Sequence, residues 1–185
     1  MDKGIAIIVS GPSGCGKDTI LRNLFNEHPE IKFSISTVTR PRRGNADEDA
    51  KYNFVTREEF ENMIKNDELL EYNVYVNNYY GTPKKPVVEA IEKGDVMVIE
   101  VDVNGAASIR KKLPGIKSVF VMPPSIEELE RRLSSRGTDS AEVVKKRIDE
   151  AKQEIARKDE YDYTIVNGVL ENAVKELYNI IVNLK

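Results

Sequence analysis

Apolar residues gather in four short runs, residues 5–10, 96–101, 118–122 and 163–166, each rich in valine and isoleucine. Short unbroken runs suit strands covered on both faces, and each is followed by a stretch with helical spacing. Helices are expected over residues 19–26, 105–113 and 127–136, the third preceded by Ser125 and Glu128 at capping-box spacing. The last carries Val174, Leu177, Ile181 and Leu184 at steps of three and four, one apolar face to lie on a sheet. Strands and helices in alternation predict an α/β fold, a parallel sheet flanked by helices.

Two excursions interrupt the alternation. The first, residues 34–82, carries polar turns, many tyrosines and one helix, signalled by Thr56 and Glu59 at cap spacing with Phe60, Met63 and Ile64 on one face. The second, residues 125–158, is charged and helical with a break at Arg136-Gly137-Thr138, which suggests a mobile helical hairpin. With neither repeats nor a flexible linker, they are subdomains of one unit whose core comprises residues 1–33, 83–124 and 159–185. A chain of 185 residues fits that single unit.

Apolar residues at 40%, charged residues at 32% and a net charge of −3 argue against disorder and against a basic nucleic-acid surface. The apolar runs are too short to span a bilayer, so no membrane association and a cytoplasmic location are expected. A single cysteine, Cys15, and a single histidine, His28, leave no disulfide and no zinc cluster. Cys15 reads as a small side chain tolerated between two glycines, and His28 as a surface residue after a helix.

Candidate chemistry begins directly after the first strand with Gly11, Pro12, Ser13, Gly14, Cys15, Gly16 and Lys17, followed by Asp18 and Thr19. Glycines let successive backbone N–H groups turn inward, and the helix start behind them adds partial positive charge, so the segment suits a polyphosphate. Lys17 adds a full charge able to follow the electron density of a transferring phosphoryl group. Where the usual loop has a hydroxyl after its lysine this chain has Asp18, and the hydroxyl comes next, at Thr19. A Lys-x-Thr ending resembles the nucleoside monophosphate kinases, whose Mg²⁺ rests mainly on phosphate oxygens and water. Asp18, repulsive to a polyphosphate if turned inward, is expected to face away.

The first excursion supplies a second polar group: Ser36, then Arg40, Arg42 and Arg43, then Tyr52, Glu71, Tyr80 and Thr82. Clustered arginines suit a phosphate dianion because planar forks bind its oxygens in pairs, although Asp47, Glu48 and Asp49 could simply balance them in a solvated loop. The order of phosphate loop, Ser-x-x-x-Arg-x-x-Arg, Tyr-x-Phe, Leu-Glu and Asn-Tyr-Tyr-Gly resembles guanylate kinase over essentially the whole chain. That resemblance implies a five-stranded parallel sheet of the P-loop type, a GMP-binding insertion at residues 34–82 and a lid at residues 125–158. It implies transfer of the γ-phosphoryl group of ATP to GMP or dGMP, with ATP and Mg²⁺ required. Arg40, Arg43, Tyr52 and Tyr80 would hold the GMP phosphate; Ser36, Glu71 and Thr82 would surround the guanine. A carboxylate at Glu71 has a chemical reason, since guanine presents adjacent N1–H and N2–H₂ donors where adenine presents a lone pair. The family's further glutamate after the arginines falls on Ala46, with Glu48 as a substitute if the loop shifts, and Thr82 replaces the more familiar serine.

Glu100 and Asp102 lie at the carboxyl end of the second core strand, where ligands sit in such sheets. By resemblance Glu100 faces the acceptor nucleotide, where an aspartate is usual, and Asp102 orders the water of Mg²⁺ together with Thr19. Arg136 and Arg147 are the implied catalytic lid arginines beside Lys17, with Arg132 a further candidate, and Asn167 is placed near the adenine. Helix-surface ion pairing with Glu128, Glu130, Asp149 and Glu150 is the competing reading of the lid arginines. Another small-acceptor kinase or a noncatalytic binding module stays open as an alternative, and so does the choice between monomer and homodimer.

Overall fold

The computed structural model describes residues 3–135 and 140–185, except for the side chains of Asp47 and Glu48. Its central sheet is parallel and runs β2 (Ile31–Phe33), β7 (Val96–Glu100), β1 (Ile5–Ser10), β8 (Lys117–Met122) and β9 (Tyr163–Val166) in that spatial order. Alternation along β1 explains its unbroken apolar run, because the two sets of side chains enter different cores. Ile7 and Val9 join α1 (Lys17–Glu27) and α8 (Leu170–Leu184) on one face, where Ile20, Leu24, Leu177 and Ile181 are buried. Ala6 and Ile8 point to the other face, against Val87 of α4 (Lys84–Glu92) and Val103 and Ile109 of α5 (Val103–Lys112). Each buried aliphatic chain of this kind is worth about 1.5–3 kcal/mol, so the two faces together fix the sheet from which the site is hung.

The five-stranded parallel sheet that the resemblance implied is present, and two other expectations need correction here. The fifth strand, β2, was not visible because three residues behind Pro29 give too little pattern. It forms an edge of the sheet, pairing with β7. His28 follows α1 as expected, but its ring is not a free surface group: it stacks on Tyr178 of α8 with centroids 3.6 Å apart. The first excursion is chiefly a second sheet, not turns: β4 (Tyr52–Phe54), β3 (Ser36–Val38), β6 (Asn78–Pro83) and β5 (Leu69–Tyr75), in that order.

β3 and β4 are parallel and β6 is antiparallel to both β3 and β5. A two-residue turn, Val76 and Asn77 with φ of 46° and 62°, joins the β5–β6 hairpin. The helix α3 (Arg57–Lys65) begins with both halves of the expected capping box on Thr56 and Glu59. It covers the second sheet through Phe60, fully buried and stacked on Tyr79 at 4.9 Å. This sheet is tied to the core where Leu70 enters the apolar cluster of α4 and α5, and where Lys112 Nζ donates to Asp67 Oδ1 at 2.6 Å and Leu69 O at 2.7 Å.

Residues 125–158 contain α6 (Ile126–Ser134) and α7 (Ala141–Ile155), which share a small apolar cluster of Leu129, Leu133, Val144, Ile148 and Ala151. Ser125 Oγ accepts the Glu128 N–H at 3.1 Å. The return half of that capping box is missing because the Glu128 carboxylate is taken by Arg131 and Arg132. The expected end of the helix at Arg136, and the break that follows it, lie outside the described residues. No helix among the described residues is long and apolar enough to cross a membrane.

Candidate active site

The strand β1 ends at Ser10 and α1 starts at Lys17, two residues earlier than expected, so residues 11–16 form a tight loop between them. The helix opens on Gly16, which has no side chain to cap the first turn, while the Thr19 and Ile20 N–H groups bond back to Gly16 O at 3.1 Å. Gly16 has φ 89°, and a Cβ there would collide with the Asn167 side-chain amide. That amide donates from Nδ2 to Cys15 O at 2.9 Å, and Arg132 adds Nη1 to Cys15 O at 3.3 Å and Nη2 to Asn167 O at 3.1 Å. Asn167 and Arg132 therefore hold the loop's shape from β9 and α6. Arg132 is also paired with Glu128, as the ion-pair reading anticipated, and the two arginines beside Glu128 hold its carboxyl down at about 2. Cys15 is buried, and burial pushes its thiol up, which keeps it unreactive.

Lys17 Nζ stands 2.8 Å from Glu100 Oε1 at the end of the neighbouring strand β7, with both side chains 17% exposed. Burial by itself would depress the ammonium, but the adjacent Glu100 carboxylate overrides it and raises Lys17 above its ordinary value. Burial pushes the Glu100 carboxyl up and Asp18 adds to that, while Lys17 opposes both. Asp18 is 70% exposed, with its carboxylate 3.9 Å from Lys17 Nζ. Thr19 sits half-buried in the first turn of α1. Ser13, exposed on the loop, has its Oγ bonded at 2.7 Å by Arg147 Nη2 from α7. Arg136 lies outside the described residues.

The second sheet brings its polar residues to the same cleft. Glu71 and Thr82 face each other across the β5–β6 ladder, and Thr82 Oγ1 donates to Glu71 Oε1 at 2.6 Å. The other oxygen, Oε2, lies 3.2 Å from where a Cβ on Gly105 would be, so a side chain at that position would press on the carboxylate. Burial raises the Glu71 carboxyl, Thr82 opposes this, and nearby Asp102 raises it further. Asp102 caps α5, its Oδ1 accepting the Gly105 N–H at 2.7 Å, so one of its oxygens has a structural duty. Ser36 opens β3 opposite Tyr52, half-buried.

Arg40 is buried, with its guanidinium 4.9 Å from the Tyr52 ring centre and 5.2 Å from that of Phe54. The Tyr52 and Tyr80 rings meet edge-on at 6.3 Å. Burial raises the Tyr52 hydroxyl, and the Glu100 charge raises it further, which ties the arginine–tyrosine group to the Lys17–Glu100 pair. Arg43 is exposed at the rim and Arg42 lies over Phe54 at 4.4 Å.

Two residues hold places that the sequence did not show. Asp49 is buried against Arg40; the run of three acidic residues hid it, since all three looked like solvent charges. Glu154 on α7 is half-buried, and burial and the negative charges of Asp102 and Glu150 raise its carboxyl against the pull of Lys17. Nothing in its helical spacing set it apart. The structure thus joins phosphate loop, carboxylates, arginine group and α7 around one cleft at the carboxyl ends of β1 and β7.

Comparison with known proteins agrees with this geometry. A family model described as guanylate kinase matches residues 3–184. The chain is 47% identical over 177 residues to a guanylate kinase of Carboxydothermus hydrogenoformans, covering 96% of this chain and 87% of that protein. It is 45% identical over 180 residues to one of Oceanobacillus iheyensis, covering 97% and 87%. A crystal structure of guanylate kinase from Anaplasma phagocytophilum superposes with a TM-score of 0.77 at 32% identity, covering 98% of this chain and 86% of that one.

Proposed function

Since the chain belongs to the guanylate kinase family and phosphorylates GMP with ATP, we propose the following division of labour in its cleft. The loop at residues 11–19, through backbone N–H groups that Pro12 lacks, and the Lys17 ammonium hold the triphosphate of ATP, with Asn167 and Arg132 keeping the loop in shape. Arg40, Arg43, Tyr52 and Tyr80 take the phosphate of GMP. Glu71 accepts the guanine N1–H and N2–H₂, aimed by the Thr82 hydroxyl and with Ser36 beside it. The residue ranges 34–82 and 125–158 act as acceptor-binding insertion and lid around the core.

The observation that carries this reading is the Lys17–Glu100 contact at 2.8 Å. It supports the reading because Lys17, at the start of α1, and Glu100, at the end of β7, would then be the donor-side and acceptor-side groups between which two bound nucleotides meet. An oxygen of the GMP phosphate attacks the γ-phosphorus in line, and the bond to the β-bridging oxygen of ATP breaks. No protein nucleophile is needed. Lys17 stabilises the charge that spreads over the departing diphosphate, and leaves Glu100 to do so. Arg147, already at Ser13 on the loop, can follow the transferring group as α7 closes, and Arg136 is proposed for the same duty.

The chemistry of the donor set fits a Mg²⁺ bound through the substrate. Among the described residues no three acidic, histidine or cysteine side chains stand together as a cage. Thr19 in the first turn of α1, and Asp102 through water, are the protein oxygens proposed to hold it, the rest coming from ATP and solvent. When bound, the ion neutralises charge on the β and γ oxygens. Action on GMP or dGMP in the cytoplasm, within purine nucleotide metabolism, completes the proposal. A coupled assay of ADP production across nucleoside monophosphates tests it: turnover with GMP and far less with AMP, CMP and UMP is expected, and equal turnover with AMP would overturn the guanine assignment.

A further inference from the structure

The segment between the clustered arginines and Tyr52 reads Gly44-Asn45-Ala46-Asp47-Glu48-Asp49-Ala50-Lys51. Where the family pattern has a glutamate, Ala46 offers no acceptor. The chain folds here into one turn of helix, α2 (Ala46–Asp49), with the Asp49 N–H on Asn45 O at 2.8 Å. That turn swings Asp49 back under the arginine loop, where its side chain is 8% exposed. Its Oδ1 accepts from Arg40 Nη1 at 3.4 Å and from the Arg43 N–H at 3.3 Å, and its Oδ2 accepts the Gly44 N–H at 3.2 Å. One carboxylate thus gathers three donors from residues 40–44.

Arg40 is fixed by more than this bond. The Tyr52 and Phe54 rings lie beside its guanidinium, and Pro41 O accepts a second bond from the same Nη1 at 3.0 Å. Asp49 and Pro41 therefore both hold one corner of the fork, while the Nε and Nη2 edge bonds no acceptor among the described residues. That edge is the pair of parallel donors with which an arginine grips two oxygens of a phosphate. Burial pushes the Asp49 carboxyl up, but the Arg43 and Gly44 N–H groups and Arg40 outweigh it and hold it below its usual range.

We propose that Asp49 is a positioning residue for the acceptor's phosphate: it orients the Arg40 fork and sets the backbone from which Arg43 reaches the same group. The inference rests on the phosphate pocket proposed above. It deepens that reading by naming the carboxylate that this chain supplies from position 49 in the absence of one at 46. Asp49 faces only the inner corner of the fork and the loop amides, so its charge opposes the substrate less than it orders the arginines.

The test is steady-state kinetics on Asp49→Ala, Asp49→Asn, Arg40→Ala and the double variant Asp49→Ala with Arg40→Ala. Asp49→Ala is expected to raise KM for GMP roughly tenfold to a hundredfold, the effect of a misplaced clamp, with KM for ATP within about twofold. Asp49→Asn, which keeps the size and one acceptor, is expected to show a smaller rise in KM for GMP and guards against failure of the alanine variant to fold. In the double variant the second substitution is expected to add less than it does alone, because both act on one fork. A KM for GMP within twofold in both Asp49 variants, a parallel rise in KM for ATP, or full additivity would overturn the inference. Arg40→Ala separates the two levels of argument: if it leaves KM for GMP unchanged, the phosphate pocket itself is wrong. If it raises that KM while the Asp49 variants do not, only the role of Asp49 falls.

Discussion

Replacing Glu71 by glutamine tests guanine recognition at the atom that decides it. The carboxylate is aimed on one side by Thr82 Oγ1, which donates to Oε1 at 2.6 Å, and its Oε2 lies on the side of Gly105 in α5. A glutamine can keep its carbonyl oxygen on Thr82, and its NH₂ then takes the place of Oε2. A donor there faces guanine's own N1–H and N2–H₂ donors. Hydrogen bonds to a charged group are worth about 1.5–3 kcal/mol each, and the substitution removes one outright and weakens the other. The loss comes to about 3–4 kcal/mol, or roughly 150-fold to 700-fold in kcat/KM for GMP at 1.4 kcal/mol per tenfold. The assay measures kcat/KM for GMP and AMP and KM for ATP in wild type and variant. GMP efficiency should collapse, KM for ATP should hold, and the preference for GMP over AMP should shrink, because a glutamine NH₂ can donate to adenine's unprotonated N1. A change under threefold for GMP, or an equal loss with AMP, would refute the assignment. The pH dependence gives an independent arm. Burial raises the Glu71 carboxyl, so the acid-side fall in kcat/KM for GMP should begin above the usual carboxylate range as Glu71 gains its proton and stops accepting. Thr82→Val removes the donor that favours the ionised form and should move that fall to still higher pH.

Three further variants bear on the loop and the insertion. Lys17→Ala should lower kcat by roughly a hundredfold or more, as for other principal electrostatic stabilisers, read in single-turnover experiments at saturating nucleotides; unchanged turnover would remove Lys17 from the chemistry. Gly16→Ala must adopt a left-handed conformation and displace Asn167 from Cys15 O, a combined cost of about 2–3 kcal/mol that should appear as a Tm lower by roughly 5–10 °C and as weaker ATP binding by titration. Val76→Asn relieves a β-branched residue at φ 46° in the exposed hairpin turn, and should raise Tm by about 2–4 °C with kinetics unaltered, whereas a lower Tm would show that the turn is not strained.

The core was legible because its signal is long-range and redundant. Ile5–Ser10 is apolar at successive positions only because Ala6 and Ile8 serve one core and Ile7 and Val9 the other, and that is how a strand covered on both faces must read. The second sheet was not legible for the opposite reason. Ser36–Val38 and Tyr52–Phe54 are three residues each, mixed in polarity, and stabilised by pairing across the sequence. No local window contains that pairing. The single helix of the insertion was visible because its capping box is a local contract between Thr56 and Glu59.

The site divides along the same line. Lys17 and its glycines could be read from the string, since a phosphate loop is contiguous, and Glu71 could be inferred from the chemistry of guanine once the family order was seen. What could not be read was the use to which charged neighbours are put. Asp47, Glu48 and Asp49 are interchangeable as letters, and it is one turn of helix that buries the third under Arg40. The departure at Glu100 shows the same dependence on three dimensions. In sequence it is one methylene longer than the usual aspartate; in the fold that reach puts a carboxylate on Lys17 Nζ at 2.8 Å. A lysine so held is ordered before substrate arrives, but it must exchange that partner for phosphate oxygens. The strength of its grip on ATP is therefore a difference between two charge-assisted contacts and not the worth of one.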